Sequence, residues 1–206
     1  MKIGIIGAGN IGATAAQLFA QAGHEVVVSN SRGPETLSDV VQEIGGRVHA
    51  VTIEEAADLG EVVLEAIPFG RYGELPAERL AGKVVIDASN YYPGRDGDID
   101  LEGLTSTGLL ASHLADSRVV KAFNTMYYET LASEGRPDAP VEDRLALFIA
   151  GDDAEAKSIV SELIEQIGFA PVDTGSLDDS GKQEPDAPVY NTPMTPDRAR
   201  AMLASY

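Results

Sequence analysis

The feature that most constrains the fold is a short apolar run that leads directly into a glycine-rich turn. Residues 1–6 have the composition of a buried parallel strand. The turn Gly7-Ala8-Gly9-Asn10-Ile11-Gly12 follows at once, and apolar residues then recur at helical spacing up to Ala22. A G-x-G-x-x-G turn between a strand and a helix is typical of the first unit of a dinucleotide-binding α/β fold.

Each glycine of this turn has its own expected role. Gly7 would make the tight turn, Gly9 would let the backbone approach a pyrophosphate, and Gly12 would let the helix pack closely on the strand. The first turn of the helix would then direct its free N–H groups and its positive dipole end at the phosphates. The alternative is a glycine-rich turn that binds no ligand.

The loop after the second predicted strand indicates which dinucleotide would bind. The strand Glu25–Val28 leads into Asn30, Ser31 and Arg32, and no acidic residue stands there. NAD sites usually place Asp or Glu at this point to bind the ribose 2′-hydroxyl, and such a carboxylate would repel a 2′-phosphate. Two neutral donors and a guanidinium suit a phosphate dianion. We therefore predict NADP(H) rather than NAD(H), the alternative being that Arg32 is a solvated loop residue.

Composition narrows the class of protein. The chain has 206 residues and a formal net charge of −18, which disfavours nucleic acid and anionic membrane as partners. It has no cysteine, and its histidines (His24, His49 and His113) are scattered without metal-ligand spacing, so we expect no metal site. Neither a signal peptide nor an apolar run of membrane-spanning length is visible, so we expect a cytoplasmic protein.

Strand and helix patterns alternate over residues 1–173. The predicted strands are Met1–Ile6, Glu25–Val28, Arg47–Val51, Val62–Ile67, Lys83–Asp87, Arg118–Ala122, Arg144–Ala150 and Phe169–Val172. Helical patterns include Ile11–Ala22, a segment that begins at Pro34, a segment capped by Thr52, Ser106–Leu114 and Asp153–Ile167. This alternation predicts an α/β fold with a doubly wound, mostly parallel Rossmann-type sheet, formed by an NADP-binding domain over residues 1–173.

The chain changes character after Asp173. Residues 174–206 are rich in Asp, Gly, Ser and Pro, and Thr195 before Pro196 predicts a short helix over Pro196–Ala204. We expect the apolar residues of this tail to pack against a second subunit, the alternative being a frayed terminus. These residues are Val189, Tyr190, Met194, Met202 and Leu203.

Four segments together resemble the NADPH:coenzyme F420 oxidoreductase family. They are Gly7–Gly12, Ser29–Arg32, Ile67–Phe69 and Val119–Thr125. The resemblance extends from Met1 to about Val172, and the chain is also similar to the cytosolic NADPH domain of the six-transmembrane ferric reductases. It implies a Rossmann-type homodimer that binds NADPH, with Ile67 and Pro68 close to the nicotinamide ribose. It also implies an acceptor ring near residues 90–92 and 124–126.

The residues and the resemblance together define a candidate site. The predicted cofactor-binding residues are Gly7, Ala8, Gly9, Asn10, Ile11, Gly12, Asn30, Ser31, Arg32, Ile67, Pro68, Ser89 and Asn124. The candidates for positioning the acceptor are Asn90, Tyr91, Asn124 and Thr125. The sequence shows no obvious acid/base constellation, so it assigns no catalytic residue.

The expected activity is hydride transfer between NADP(H) and a flavin-like acceptor, with coenzyme F420 favoured. Related Rossmann enzymes add a helical domain that this chain lacks, so the acceptor would lie on the carboxyl edge of the sheet, under loops or a second subunit. Deazaflavin-reducing members tend to carry His where Asn124 stands, which leaves FMN, FAD or a ferric chelate as alternative acceptors. A non-catalytic NADP(H) redox sensor is the other alternative.

Overall fold

One eight-stranded sheet organises residues 1–205, the part of the chain that the computed structural model describes. Its strands are β1 (Lys2–Ile6), β2 (Glu25–Ser29), β3 (Val48–Ala50), β4 (Val62–Glu65), β5 (Val84–Asp87), β6 (Arg118–Lys121), β7 (Ala146–Ala150) and β8 (Ala170–Gly175). They lie in the order β3-β2-β1-β4-β5-β6-β7-β8. β1 to β6 are parallel, β7 is antiparallel to β6, and β8 is parallel to β7. The prediction of a mostly parallel Rossmann-type sheet is confirmed, and the first six strands have the order typical of dinucleotide-binding folds.

Nine α-helices and four 3₁₀ helices connect the described strands. The α-helices are α1 (Asn10–Gln21), α2 (Ser38–Ile44), α3 (Ile53–Leu59), α4 (Ala77–Leu80), α5 (Pro93–Asp96), α6 (Ser106–His113), α7 (Tyr128–Ser133), α8 (Ala154–Gln166) and α9 (Pro196–Ala204). The 3₁₀ helices are Pro34–Leu37, Phe69–Glu74, Val141–Asp143 and Asp178–Gln183. Within residues 1–205, no helix combines the length and the apolar character that crossing a membrane requires.

Local signals explain where several helices begin. The Thr52 hydroxyl accepts a hydrogen bond from Glu55 N at 3.2 Å, and the Glu55 carboxylate accepts one from Thr52 N at 2.9 Å. This reciprocal capping box starts α3 at the residue after Thr52. The Asp153 carboxylate caps α8 by accepting a hydrogen bond from Ala156 N at 2.9 Å.

The sheet is covered on both faces. β4 and β5 are buried along their whole length, as expected for central parallel strands between two helical layers. Ile5 belongs to the apolar cluster under α1 and α8, whereas its neighbour Ile6 belongs to the cluster under α3 and α6. This alternation fixes the register of β1 and therefore the position of the glycine turn that follows it.

The tail packs on the sheet of its own chain. Val189 and Met194 are 1% and 3% exposed, and they join Phe148 of β7 and Val172 of β8 in a third apolar cluster. Met202 and Leu203 are partly buried against the same cluster. Val189 and Met194 are therefore buried within their own chain, on the apolar surface that β7 and β8 provide. Packing of the tail on a second subunit stays a prediction. Tyr206 lies outside the described residues.

Candidate functional site

Two adjoining cavities lie at the carboxyl edge of the parallel strands. The central cavity has a volume of about 370 Å³ and reaches over the ends of β4, β5 and β6. The lateral cavity has a volume of about 250 Å³ and lies over the ends of β1 and β2. Both walls include Gly9, Ala66, Ile67 and Pro68, so the two cavities form one continuous groove around the glycine turn.

The glycine turn has the geometry that close approach requires. Gly7 has φ +108°, and a Cβ on it would lie 2.6 Å from the Ala66 carbonyl oxygen. A Cβ on Gly12 would lie 1.8 Å from the Gly7 carbonyl oxygen, so α1 packs on the turn at a distance that only glycine permits. A Cβ on Gly9 would meet nothing within 4 Å. The space above Gly9 is therefore free for a ligand, directly in front of the first N–H groups of α1.

The lateral cavity combines two guanidinium groups with neutral donors. The predicted cofactor-binding residues Asn30, Ser31 and Arg32 line it, and Arg32 N donates to Asn30 Oδ1 at 2.9 Å. Arg71 lines the same cavity and donates from Nη1 to Ser31 Oγ at 3.3 Å. It also pairs with Glu74 through Nε at 2.9 Å and Nη2 at 2.5 Å. Positive charge thus exceeds negative charge at this end of the groove, as a phosphate dianion requires.

Two interlocked asparagines form part of the wall of the central cavity. Asn90 Nδ2 donates to the Asn124 carbonyl at 2.9 Å, and Asn124 Nδ2 donates to Asn90 Oδ1 at 3.0 Å. Asn124 Nδ2 also donates to the Gln183 carbonyl at 2.6 Å. Within residues 1–205 the Asn124 Oδ1 atom has no hydrogen-bond partner. Both predicted asparagines therefore line the cavity, and Asn124 also carries a buried acceptor atom without a partner among these residues.

Tyr91 does not line either cavity. Its hydroxyl donates to the Gly97 carbonyl and accepts from Ile99 N, both at 2.9 Å, and its ring packs against Phe69. Tyr92 occupies the wall of the central cavity instead. Tyr91, predicted to position an acceptor, therefore does not reach the cavity, whereas its neighbour Tyr92 does, because successive residues of this loop point to opposite sides.

Two other predicted residues lie behind the walls. Thr125 is 4% exposed, and its carbonyl accepts a hydrogen bond from Asn191 N at 2.8 Å. It anchors the tail rather than facing the central cavity. Gly12 lies inside α1 against Gly7, where it shapes the turn without lining the groove.

The tail supplies a wall of the central cavity that the sequence did not indicate. Tyr190 and Asn191 line this cavity together with Tyr92. The Tyr92 and Tyr190 hydroxyls are hydrogen-bonded, and the Arg95 guanidinium lies 5.0 Å from the centre of the Tyr92 ring. Burial and the hydrogen bond to Tyr92 raise the pKa of the Tyr190 hydroxyl above its ordinary value. The cavity is therefore bounded by a neutral aromatic pair that joins the loop after β5 to the tail.

A row of buried charged side chains lies behind the central cavity. Glu65, Asp87 and Lys121 end β4, β5 and β6, and each is 0% exposed. Lys121 Nζ donates to Asp87 Oδ2 at 3.0 Å and to the Ser89 carbonyl. The sequence showed no obvious acid/base constellation, and the fold brings these three ionisable side chains together. The sequence signal for this row was a charged residue at the end of each of three apolar runs. Only the strand register shows that the three residues lie side by side.

These features define a dinucleotide-binding α/β protein with a groove at the carboxyl edge of its sheet. A family model described as NADP oxidoreductase, coenzyme F420-dependent, matches residues 2–91. The metalloreductase STEAP3 of Rattus norvegicus is 33% identical over 179 residues, which cover 85% of this chain and 34% of that protein.

Two solved structures are similar over most of the chain. A hypothetical protein from Sinorhizobium meliloti superposes with a TM-score of 0.82 and 34% identity, covering 95% of both chains. An Arthrobacter sp. FB24 protein, described as a candidate F420-dependent NADP reductase, superposes with a TM-score of 0.71 and 26% identity, covering 86% of both chains.

Over residues 2–91, the chain is similar to the family of coenzyme F420-dependent NADP oxidoreductases. It spans only about a third of the length of the metalloreductase that it matches.

The residues of the groove fit NADP(H). The open space above Gly9 can admit a pyrophosphate, and the α1 N-terminus favours its negative charge. The lateral cavity places Arg32 and Arg71 where a 2′-phosphate would be neutralised.

Proposed function

We propose that this protein is an NADPH-dependent reductase that transfers a hydride to a flavin-like acceptor, with coenzyme F420 as the favoured acceptor. The observation that carries this proposal is the continuous groove, in which a cationic lateral cavity and a larger central cavity share Gly9, Ile67 and Pro68. A cofactor bound across the glycine turn would leave the central cavity free to bind a second, flat molecule.

Different parts of the groove would hold different parts of the cofactor. Ala8, Gly9 and the first N–H groups of α1 would bind the pyrophosphate, while Asn30, Ser31 and Arg32 would bind the 2′-phosphate ribose. Ile67 and Pro68 would then hold the nicotinamide end at the junction of the cavities. Bound NADPH supplies the hydride, and the chain contributes binding and orientation.

The central cavity has the character expected of a site for an acceptor ring. The rings of Tyr92 and Tyr190 offer flat apolar surface on one side, and Asn90 and Asn124 offer amide groups on another. Proximity and alignment of two flat rings are the main requirements of hydride transfer. The name of the Arthrobacter relative and that of the matching family favour coenzyme F420 among such rings.

The experiment that tests this proposal is anaerobic NADPH oxidation by the purified protein. Coenzyme F420, FMN, FAD and a ferric chelate are supplied in parallel, and each assay is repeated with NADH. Turnover with F420 and NADPH is the expected result. Absence of turnover with every acceptor, although NADPH binds, would contradict a reductase and favour a redox sensor.

A second candidate acceptor is FMN, FAD or a ferric chelate. It is favoured by the similarity to a metalloreductase and by Asn124, which stands where deazaflavin-reducing members tend to carry His. Faster turnover with FMN or the chelate than with F420 in the same assay would support it.

We also propose that the protein acts as a cytoplasmic homodimer. Tyr127 is 49% exposed beside the mouth of the central cavity, so a second subunit that covered it would also close the cavity. Light scattering of the purified protein tests this: a mass of one chain would contradict the dimer.

A further inference from the structure

The row formed by Glu65, Asp87 and Lys121 has no role in the function proposed so far. Strand register places Asp87 directly opposite both other residues, and on its other side Glu65 faces the apolar Ile6 of β1. Burying an ionisable side chain is costly unless it is paired, and three in succession call for an explanation. Within residues 1–205 the Glu65 Oε1 atom has no hydrogen-bond partner, although its carboxyl group lies next to that of Asp87.

The row is neutral overall when Glu65 keeps its proton. Burial and the neighbouring Asp87 charge raise the pKa of Glu65 well above its ordinary value. Burial alone would raise the pKa of Asp87 too, but the Lys121 ammonium and hydrogen bonds from Glu65, Ser89 and Thr107 outweigh it and lower that pKa to about 2. With Glu65 protonated and Asp87 ionised, the Lys121 ammonium balances the one negative charge of the row.

Ser89 connects this row to the central cavity. Its hydroxyl donates to Asp87 Oδ1 at 2.7 Å, and its backbone N–H donates to the same atom at 2.9 Å. Ser89 is 5% exposed, and it lies in the wall of the central cavity beside Asn90. Ser89 is therefore hydrogen-bonded to Asp87, which lies beside the Glu65 carboxyl group, and it belongs to the wall of the central cavity.

We propose that Ser89 donates a proton to the substrate in the central cavity and that Glu65, acting through Asp87, replaces that proton. This proposal rests on the proposed function, because a flavin-like ring that receives a hydride also requires one proton on a ring nitrogen. Ser89 is then a catalytic residue, and Glu65 is a proton-storing residue behind it.

The proton balance closes within the row. The Ser89 hydroxyl, which donates to Asp87 in the free protein, turns towards the acceptor in this step. Its O–H bond breaks as an N–H bond forms on the acceptor, and the Ser89 oxygen then takes a proton from Asp87, which takes the proton of Glu65. The acceptor gains one proton, Glu65 loses one, and Ser89 and Asp87 are unchanged. The row then carries one net negative charge until a proton returns, because Lys121, 3.0 Å from Asp87, balances only one of the two carboxylates. Water that enters the cavity after product release returns the proton by the same path.

The stored proton can be observed without cofactor or substrate. Infrared spectra of the free protein at neutral pH should show the carbonyl band of a protonated carboxylic acid, and this band should be absent from Glu65→Gln. Far-ultraviolet circular dichroism checks that the variant is folded. If the wild-type and variant spectra are the same at neutral pH, Glu65 is ionised and the proposal is wrong.

The transfer itself is tested by turnover with NADPH and coenzyme F420 or FMN across a pH series. Ser89→Ala and Glu65→Gln should each lower kcat by roughly 100-fold, the size typical of a lost general acid. Glu65→Gln should also abolish the fall in kcat as pH rises through the pKa of Glu65. Ser89→Thr, which keeps a hydroxyl, should recover much of the loss.

A matched control separates proton transfer from a structural effect. Ser106→Ala removes another buried hydroxyl that donates to a carboxylate, that of Glu184, outside both cavities. It should leave kcat and its pH profile unchanged. If Ser89→Ala and Glu65→Gln both keep the wild-type kcat, the proposed proton transfer is wrong, while the proposed reductase function still stands. Absence of NADPH oxidation by the wild type would overturn the proposed function and the relay with it.

Discussion

At the scale of single residues, two glycines of the turn have different roles: Gly12 allows close packing, and Gly9 leaves space for a ligand. A methyl group on Gly12 would clash with the Gly7 backbone, whereas one on Gly9 would enter open space in the groove. We therefore expect Gly12→Ala to lower the free energy of unfolding by roughly 1–3 kcal/mol.

Gly9→Ala should leave the free energy of unfolding close to that of the wild type but weaken NADPH binding by about tenfold or more, about 1.4 kcal/mol. Urea denaturation and calorimetric titration measure the two quantities. Unchanged NADPH affinity in Gly9→Ala would mean that the cofactor does not pass over the turn.

The two arginines of the lateral cavity bear on cofactor choice. Arg32→Ala should weaken NADPH binding by about 2–4 kcal/mol and leave NADH binding nearly unchanged, since only NADPH carries the 2′-phosphate. Arg71→Ala should have a smaller effect, because Glu74 already pairs with that guanidinium.

Arg79→Ala is the control for this pair, since Arg79 is an exposed arginine that is paired with Asp58 outside both cavities. Calorimetric titration with both dinucleotides measures the effects. Equal weakening of NADPH and NADH binding in Arg32→Ala would exclude the assigned contact.

Glu65 makes stability depend on pH in a defined direction. Its pKa is raised in the folded state, so its favourable contribution is complete below its ordinary pKa of 4.5 and is lost as pH rises through the folded value. The free energy of unfolding of the wild type should fall by up to about 1.4 kcal/mol per pH unit over this range because of this group.

Glu65→Gln should remove this component and unfold at higher urea concentration than the wild type in mildly alkaline buffer. Glu43→Gln, a change at an exposed position of α2, should retain the wild-type slope. A wild-type slope in Glu65→Gln would show that Glu65 is already ionised in the folded protein.

The candidate site shows which residues a sequence can reveal. Gly9, Asn30 and Arg32 were predictable because each follows a strand in a local pattern with known chemistry. Arg71 was not, since its position at the lateral cavity depends on a 3₁₀ helix after β4 that carries no comparable signal. The position of Lys121 was not predictable either, because only the register of β5 and β6 places it opposite Asp87.

At the scale of elements, the tail shows that local sequence signals predict where a helix begins and ends but not what the helix packs against. The bounds of α9 agree with the prediction, because Thr195 and Pro196 mark a helix start locally. What α9 packs against could not be predicted, since that depends on β7 and β8 forming an apolar edge of the sheet.

The tail also contributes to the site, which gives a prediction at this scale. Tyr190→Phe removes the hydrogen bond to Tyr92 and loosens the aromatic pair that bounds the central cavity. We expect KM for the acceptor to rise by about three- to tenfold, the equivalent of roughly 1 kcal/mol, while the Kd of NADPH is unchanged.

Tyr72→Phe is the control, because Tyr72 packs on Phe69 and lies outside the central cavity. Steady-state kinetics and calorimetric titration separate the two constants. An unchanged KM in Tyr190→Phe would mean that the tail does not shape the acceptor site.

At the scale of the whole molecule, the alternation of apolar runs and helical patterns was sufficient to predict the sheet. Each predicted strand forms, because a buried parallel strand needs a continuous apolar run that is easily seen in the sequence. The antiparallel direction of β7 was not predictable from its composition, since β7 is as apolar and as buried as the parallel strands β4 and β5.

The central claim of the proposed function is that a hydride passes directly from NADPH to an acceptor in the central cavity. The most direct test is single-turnover reduction of coenzyme F420 by NADPH that carries deuterium at both positions of the nicotinamide C4 atom, followed by mass spectrometry of the reduced product. We predict one deuterium on a ring carbon of the product and no comparable reaction with NADH. Reduced product without deuterium, or equal transfer from NADH, would contradict the account.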